Sequence, residues 1–330
     1  MTRATGIGSM PGTSSREAIV AVRDLLLDTD RLGIPYLPET PARGPGADMI
    51  GRAASLLVEL PVDLQPSGWR FTDRPGRDAR RAASLWTEDL DELAAAYDGY
   101  AGPLKVQVAG PWTLAASIEL HRGERAVTDE GAAREIVESL AEGLRRHVSD
   151  VRRLVPGADV ILQVDEPSLT AVLEGTLPTA SGFGKVRAVD RQVVAAGLRT
   201  VLATHDGPTV VHSCHPRAPI PLLRNVSPGA IAVDLTEATA ARWESLAATL
   251  EAGVDLYAGC LPTTGAAASA RGAARGIREG MERAGLGPQW LDHITVTPSC
   301  GLAGLTQRGA QDVHRAAVDT AHELSEEGHA

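Results

Sequence analysis

The sequence alternates short apolar runs with segments of helical periodicity over most of its 330 residues. The apolar runs are rich in β-branched residues and bounded by turn residues, a pattern typical of buried strands. Strands are predicted at residues 4–9, 34–37, 104–109, 160–164, 209–212, 231–235, 256–260 and 294–299. Nearly all are followed by helical sequence, which indicates parallel βαβ units. About eight such units predict an α/β fold, a single (β/α)8 TIM barrel over residues 1–330.

The helical segments between these strands have the spacing expected of amphipathic helices. They are predicted at residues 15–27, 47–60, 86–97, 193–203, 239–252, 265–284 and 311–326, with a mostly helical region up to about residue 154. The Pro/Gly-rich stretch at residues 61–77 is predicted to be a loop. A doubly wound sheet is the alternative architecture, but no Gly-x-Gly-x-x-Gly string follows the first predicted strand.

Charge and cysteine content exclude several classes of protein. The formal net charge is −10, and no basic patch with interleaved aromatic residues is evident, so nucleic acid is not an expected partner. Three cysteines are too few for a disulfide framework. No signal peptide opens the sequence and no apolar stretch reaches membrane-spanning length. We therefore expect a cytoplasmic protein without a membrane partner, whose thiols stay reduced.

Two strings place metal-binding side chains at the ends of predicted strands. His212 and Cys214 end one strand, and Cys300 follows the last. Because the carboxyl ends of barrel strands share one face, these side chains should converge. Imidazole together with thiolates is a ligand set typical of zinc. The alternative is a hydrogen-bonded histidine beside ordinary buried cysteines. We favour the metal site, since all three residues stand at strand ends.

An acidic side chain would complete a tetrahedral Zn²⁺ site. The candidates are Asp234, inside a predicted strand, and Glu237, just beyond it. We predict Asp234, because a strand residue is held rigidly at the barrel mouth. Cys260 could replace the acid, although a buried structural role is favoured for it. Two thiolates and a carboxylate more than neutralise Zn²⁺, so this site suits a nucleophilic substrate thiolate better than it suits hydroxide.

An amino acid thiol would also need partners for its carboxylate and its ammonium group. Ser9 lies in a Gly-Ser turn with exposed backbone N–H groups, which suits a carboxylate. Glu39 and Asp165 suit an ammonium group. Turn and capping roles are the alternative for Ser9 and Glu39. The Asp165-Glu166 pair is more informative, because two acids at the end of an apolar strand are costly unless they are paired or used.

Several strings form a recognisable set. They are Ile7-Gly8-Ser9-Met10-Pro11, Glu39, Gly110-Pro111-Trp112-Thr113, Ile161-Leu162-Gln163-Val164-Asp165-Glu166-Pro167, His212-Ser213-Cys214 and Pro298-Ser299-Cys300-Gly301-Leu302. Together they resemble the catalytic barrel of the cobalamin-independent methionine synthase family, over most of the chain. The resemblance implies zinc-dependent methyl transfer to homocysteine. The implied zinc ligands are His212, Cys214 and Cys300, and the implied homocysteine-binding residues are Ser9, Glu39 and Asp165.

The sequence departs from the family pattern at three places. Asp234 stands where the family has a zinc-binding Glu, Cys260 stands at about the place of its proton-relay His, and a residue near Ser117 replaces a Trp of its folate site. Full-length members also have a second barrel. These departures make methyltetrahydrofolate a doubtful donor, and we therefore predict a methyl-corrinoid protein as donor and partner.

Two other functions are compatible with parts of this pattern. A metal-free lyase of the uroporphyrinogen decarboxylase type would require arginines at strand ends, and it would leave His212, Cys214 and Cys300 without a role. A catalytically silent barrel that stores or senses zinc would retain the metal ligands only. Metal analysis separates the first alternative from the methyltransferase, and an assay of methyl transfer separates the second.

Overall fold

Parallel strands alternate with helices in this computed structural model, which describes residues 1–27, 32–264 and 269–327. The strands are β1 (Arg3–Ala4), β2 (Val62–Gln65), β3 (Gly68–Phe71), β4 (Ala101–Ala109), β5 (Gly157–Asp165), β6 (Thr209–Ser213), β7 (Ala230–Asp234), β8 (Asp255–Leu261) and β9 (Ile294–Pro298). The helices are α1 (Ser15–Leu27), α2 (Met49–Ala54), α3 (Arg77–Ala96), α4 (Pro111–Ser117), α5 (Glu130–Leu154), α6 (Leu169–Glu174), α7 (Arg191–Leu202), α8 (Ile220–Val226), α9 (Ala240–Glu251), α10 (Ala270–Arg283) and α11 (Gln307–Glu327). Short 3₁₀ helices cover Pro41–Arg43, Ala126–Thr128 and Pro288–His293.

The main sheet is a curled parallel sheet that has seven strands in the described residues, in the order β1-β9-β8-β7-β6-β5-β4. From β4 to β9, neighbouring strands are joined through helices, as parallel pairing requires. All carboxyl ends therefore lie on one edge, where the candidate site was predicted.

The strand predicted at residues 34–37 is not a regular strand of this sheet, so the prediction of eight strands was wrong by one. Pro35 and Pro38 lie in or next to this run, and neither has an N–H group to donate to a neighbouring strand. Only isolated bridges form here. The prediction of an α/β fold with parallel strands is confirmed.

Segment 32–39 nevertheless contacts both edges of the sheet. It forms parallel bridges between Gly33 and Ala4 of β1, and between Tyr36 and Lys105 of β4. The backbone hydrogen bonds to these two strands are 2.8–3.0 Å long. The segment therefore lies between β1 and β4, the two edge strands of the sheet.

The stretch predicted as a loop at residues 61–77 contains a small hairpin instead. Strands β2 and β3 pair antiparallel, with Gly68 at φ 131° beginning the second. Trp69 of this hairpin is only 6% exposed and packs against the main core.

Helix α3 begins earlier than predicted, at Arg77. The predicted start of the helix at residues 265–284 lies partly outside the described residues, and α10 begins at Ala270.

Two hydrophobic clusters lie on opposite faces of the sheet. The larger one fills the space between the strands and the surrounding helices. The smaller one covers what we call the inner face, and consists of Ile7, Ile34, Ile161, Val210, Ala230, Ala232 and Tyr257. Because side chains alternate along a strand, Gln163 and Asp165 share this face with Ile161. Across residues 1–27, 32–264 and 269–327, no helix has the length and apolar character needed to cross a bilayer.

Candidate active site

His212 is held by a carboxylate at the end of β6. Its Nδ1 lies 2.8 Å from Oδ1 of Asp165, the residue opposite it on β5. Because an ionised carboxylate only accepts hydrogen bonds, Nδ1 carries the proton and Nε2 presents its lone pair. Nε2 is buried and has no hydrogen-bond partner among the described residues. Metal-binding histidines are typically oriented in this way.

The thiols of Cys214 and Cys300 meet beside this histidine. Both cysteines are reduced and half-buried, and their side chains share a hydrogen bond. That bond is the main cause that lowers the pKa of Cys300 to about 6, and the neighbouring His212 and the Gly301 N–H contribute in the same direction. The same bond, reinforced by burial, raises the pKa of Cys214. The two distant strings thus converge, with Cys300 as the more acidic thiol.

The acidic ligand stays a prediction. Asp234 ends β7 on the same face as Ala232, which pairs with His212. Its Oδ1 accepts hydrogen bonds from Thr236, at 2.9 Å from the backbone N and 2.7 Å from the hydroxyl. In the part of the chain that the structure describes, no group of three or more His, Cys, Asp or Glu side chains is arranged to hold a metal ion.

Glu237 and Cys260 lie elsewhere. Both line a cavity of about 370 Å³ next to helix α10, together with Trp243 of α9. Burial raises the pKa of the Cys260 thiol to about 12, as expected for a structural cysteine. This placement favours Asp234 over Glu237 as the acidic ligand.

Glu39 is a buried carboxylate at the same edge of the sheet. It is 5% exposed, and its backbone bridges to Ser9. Burial raises the pKa of Glu39 to about 7, while Arg52, a hydrogen bond with Gln107 and the charge of Lys105 act in the opposite direction. Its Oε1 is buried and without a hydrogen-bond partner within the described ranges.

Lys105 is a functional candidate that sequence reasoning missed. It is fully buried on β4, and its Nζ donates to the Ile7 carbonyl at 2.9 Å. Burial lowers the pKa of Lys105 to about 7, whereas Asp165 and Glu39 raise it. A lysine inside a predicted buried strand was the available signal, because such a charge needs a partner.

Two glutamines also face the site from β4 and β5, where Gln107 pairs with Gln163. Gln107 Nε2 donates to Leu37 O at 2.7 Å, and Gln163 Nε2 donates to both Ile7 O and Asp165 Oδ1 at 2.8 Å. Both amide oxygens are buried and lack a partner in the described structure. Four buried atoms at the site therefore have no hydrogen-bond partner among the described residues. We call them the open atoms: Glu39 Oε1, Gln107 Oε1, Gln163 Oε1 and His212 Nε2.

Ser9 connects the first strand to the turn that follows Cys300. Its Oγ accepts from Ala303 N at 3.3 Å, and its carbonyl accepts from Leu302 N at 2.9 Å. A side chain at Gly301 would have its Cβ 2.2 Å from Ser9 Oγ, so a larger residue there would require the Ser9 hydroxyl to move. The turn role considered for Ser9 is therefore present, and its predicted carboxylate-binding role is not tested by these contacts.

Trp112 and Thr113 have structural roles. Trp112 is 2% exposed, and its Nε1 donates to Val194 O at 3.0 Å. The backbone N–H groups of Trp112 and Thr113 donate to the Glu166 carboxylate at 2.9 Å and 2.8 Å. Glu166 thus holds the first turn of α4 and faces away from His212.

Comparisons with known proteins identify the family and the fold. The profile of the family described as "Cobalamin-independent synthase, Catalytic domain" matches residues 1–323. A solved B12-independent methionine synthase from Shewanella sp. W3-18-1, in complex with selenomethionine, superposes with a TM-score of 0.65 at 13% identity, over 99% of this chain and 98% of that chain. At this identity the likeness shows a shared fold. No curated protein matches the sequence.

A further solved structure is much less similar. The carboxyl transferase domain of Rhizobium etli pyruvate carboxylase, with 3-bromopyruvate, matches with a TM-score of 0.26 at 14% identity, over 71% of this chain and 44% of that chain. The family match covers nearly the whole sequence, and a methionine synthase-type catalytic domain indicates a methyltransferase. The chain belongs to the family of cobalamin-independent synthase catalytic domains.

Proposed function

We propose that the protein is a zinc-dependent methyltransferase that methylates the thiol of homocysteine to give methionine. We also propose that its fold is a single (β/α)8 barrel in which segment 32–39 takes the place of the eighth strand. The observation that carries the proposed function is the meeting of His212 with the Cys214–Cys300 thiol pair at the strand ends. Family membership supports the same activity.

The donor set fits zinc. His212 presents an unprotonated nitrogen, and one thiol of the pair ionises readily. His212, Cys214 and Cys300 would hold the ion, with Asp234 as the fourth ligand. Bound Zn²⁺ would supply the positive charge that keeps a substrate sulfur as thiolate at neutral pH.

The protein's own residues position the substrate. Asp165 keeps His212 in one tautomer, because its Oδ1 accepts the Nδ1 proton. The open oxygens of Glu39, Gln107 and Gln163 can accept the three N–H groups of an ammonium group. The turn at Ser9 would bind the carboxylate. The selenomethionine in the Shewanella synthase carries both of these groups, which supports an amino acid substrate here.

The methyl donor stays open. The hypothesis of a methyl-corrinoid donor and partner has no support from the comparisons, since the matching family is described as cobalamin-independent. The lyase alternative is disfavoured by charge: Glu39 and Asp165 line the site and would repel a polycarboxylate substrate.

The proposal is tested by assaying methionine formation from homocysteine. Methyltetrahydrofolate, methylcobalamin and a methylated corrinoid protein are supplied in parallel to zinc-loaded protein. We expect activity with at least one donor, and a loss of at least about 100-fold in Cys214→Ser. Cys260→Ser is the matched control, because Cys260 lines a separate cavity and should be dispensable. Zinc-loaded protein that makes no methionine with any donor, or an unimpaired Cys214→Ser variant, would refute the proposed function.

A further inference from the structure

A buried arginine lies directly behind Glu39. Arg52 of α2 is 2% exposed, and its guanidinium group lies 3.9 Å from the centroid of the Trp86 ring. Its Nη1 pairs with Asp89 of α3, which is fully buried. A charge with so little solvent access persists only when other charges compensate it.

The arginine is anchored from several sides. Asp89 receives Arg52 on one oxygen and Arg43 on the other. Trp86 Nε1 donates to the backbone carbonyl of Arg52 at 2.7 Å. The ring of His147 on α5 packs against the Trp86 ring, with 4.5 Å between the ring centroids. Burial lowers the pKa of His147 to about 4, so it is neutral. The two arginines thus share Asp89, and Arg43 also pairs with Glu88 of α3 at 2.9 Å.

The guanidinium group of Arg52 also lies beside Glu39. Arg52 Nε is 4.0 Å from Glu39 Oε1, which is an ion-pair distance but too long for a hydrogen bond. Arg52 Nε and Nη2 are buried and have no hydrogen-bond partner in residues 1–27, 32–264 and 269–327. The arginine therefore places a positive charge near Glu39 without forming a hydrogen bond to Oε1.

We propose that Arg52, held by Asp89 and Trp86, is a positioning residue that keeps Glu39 ionised and its Oε1 available for the ammonium group of an amino acid thiol. The inference rests on the proposed function only in assigning an ammonium group to Glu39. It explains why a buried arginine is placed next to a substrate-binding carboxylate, and it makes Arg52 a determinant of selectivity for amino acid thiols.

Of the charged groups around Glu39, Arg52 stabilises the ionised carboxylate most. Arg52 approaches from α2 and Lys105 from β4, while Asp165 on β5 repels the carboxylate. The Tyr36 phenol also lies within electrostatic reach and is neutral, because burial raises its pKa. Burial raises the pKa of Glu39 to about 7, and Arg52 is the largest influence that lowers it. Loss of this charge should therefore leave Glu39 protonated at neutral pH.

The expected loss of ligand affinity on replacing Arg52 follows from the titration of Glu39. An adjacent opposite charge typically shifts a carboxyl pKa by about 1–3 units. Starting from a pKa of about 7, a rise of one unit reduces the ionised fraction at pH 7 from about half to about a tenth. The apparent affinity for an ammonium ligand would fall about fivefold or more at pH 7, and would recover as the pH rises.

The first test measures ligand binding by calorimetry between about pH 6 and 8.5. Homocysteine is compared with 4-mercaptobutanoate, which lacks the amino group, in wild type, Arg52→Gln and Arg52→Lys. We expect Arg52→Gln to weaken homocysteine at pH 7 and to leave 4-mercaptobutanoate unchanged, and Arg52→Lys to retain most of the affinity. Arg43→Gln is the matched control, because it removes the other partner of Asp89 and should not alter the pH profile. Equal weakening of both thiols in Arg52→Gln would overturn the inference.

The second test observes Glu39 without any substrate. The carboxyl C=O stretch is followed by infrared difference spectroscopy against pH, and Glu39→Gln identifies the signal. We expect its midpoint to rise by at least about one unit in Arg52→Gln. If that variant fails to fold, Arg52→Gln with Asp89→Asn removes both buried charges and permits the same measurement. An unchanged midpoint would overturn the inference. A raised midpoint in a protein that does not bind homocysteine would refute the proposed function and leave the role of Arg52 standing.

Discussion

Asp165 and Glu166 are consecutive buried acids that face opposite sides of β5, and the protein uses them in opposite ways. Glu166, on the outer face, accepts three hydrogen bonds, from Trp112 N, Thr113 N and Thr113 Oγ1. Asp165, on the inner face, shares one oxygen between His212 and Gln163. The protein itself supplies hydrogen-bond donors to both oxygens of Glu166, whereas Asp165 lies among the open atoms.

This difference separates a structural acid from a functional one. Burying a polar group without a partner costs free energy, so a buried acid with a structural role is expected to have its hydrogen bonds completed by the fold. On the inner face, four buried atoms around Asp165 stay open. A folded protein retains such a cluster where a ligand completes it. The faces should therefore respond differently to substitution, one in stability and the other in binding.

The largest expected effect concerns the metal. Cys214→Ser with Cys300→Ser should reduce zinc from about one ion per chain to nearly none, because serine does not supply the thiolate that binds the metal. Zinc is measured by elemental analysis of purified protein, with Cys260→Ser as the control that retains metal. Full zinc retention in the double variant would show that the inner face does not hold the metal at this place.

Glu166→Ala should produce the largest loss of stability. It leaves two backbone N–H groups and one hydroxyl without their buried acceptor. At about 1–3 kcal/mol for each of the three unsatisfied groups, the expected loss is about 3–9 kcal/mol in the free energy of unfolding. Guanidinium denaturation measures it, and Glu166→Gln should lose less because its amide oxygen still accepts. A loss below about 1 kcal/mol would contradict a structural role for this acid.

Glu39→Gln should instead change the pH dependence of stability. Burial raises the pKa of Glu39 from 4.5 to about 7, so the folded state binds the proton more tightly than the unfolded state. As the pH rises from about 4.5 to 7, the free energy of unfolding of the wild type should therefore fall relative to that of Glu39→Gln, by up to about 3 kcal/mol. Denaturation of both proteins at several pH values tests this. Parallel profiles would show that folding does not raise the pKa of Glu39.

The smallest effect is expected for Asp165→Asn. The amide can still accept from His212 Nδ1 but carries no charge, so the histidine becomes a weaker ligand. Zinc affinity should fall about 10–100-fold, as for other residues that orient a metal ligand. Competition with a chromophoric chelator measures the affinity. Unfolding at the same pH is the control, and a loss of stability matching that of Glu166→Ala would erase the distinction between the two faces.

The sequence allowed the main site residues to be chosen because strand ends are recognisable locally. His212, Cys214 and Cys300 directly follow β-branched runs, and the structure brings them together. Arg52 and Lys105 could not be chosen in this way. Arg52 lies in a short helix, and Lys105 lies within a strand whose neighbours on the sheet were not known. Their roles depend on Glu39, which comes from another segment.

The sequence by itself determined the order of strands β4 to β9 and the positions of their carboxyl ends, because periodicity and turn residues act over a few neighbouring positions. The strand predicted at residues 4–9 is regular only at Arg3–Ala4. It also contained the reason for the irregular segment 32–39, since Pro35 and Pro38 remove backbone donors. Only the tertiary structure decided which polar atoms are satisfied and which stay open. Ser9 Oγ, for example, binds the N–H of Ala303, 294 residues away. Such partners are brought together by the closure of the sheet, which no local pattern encodes.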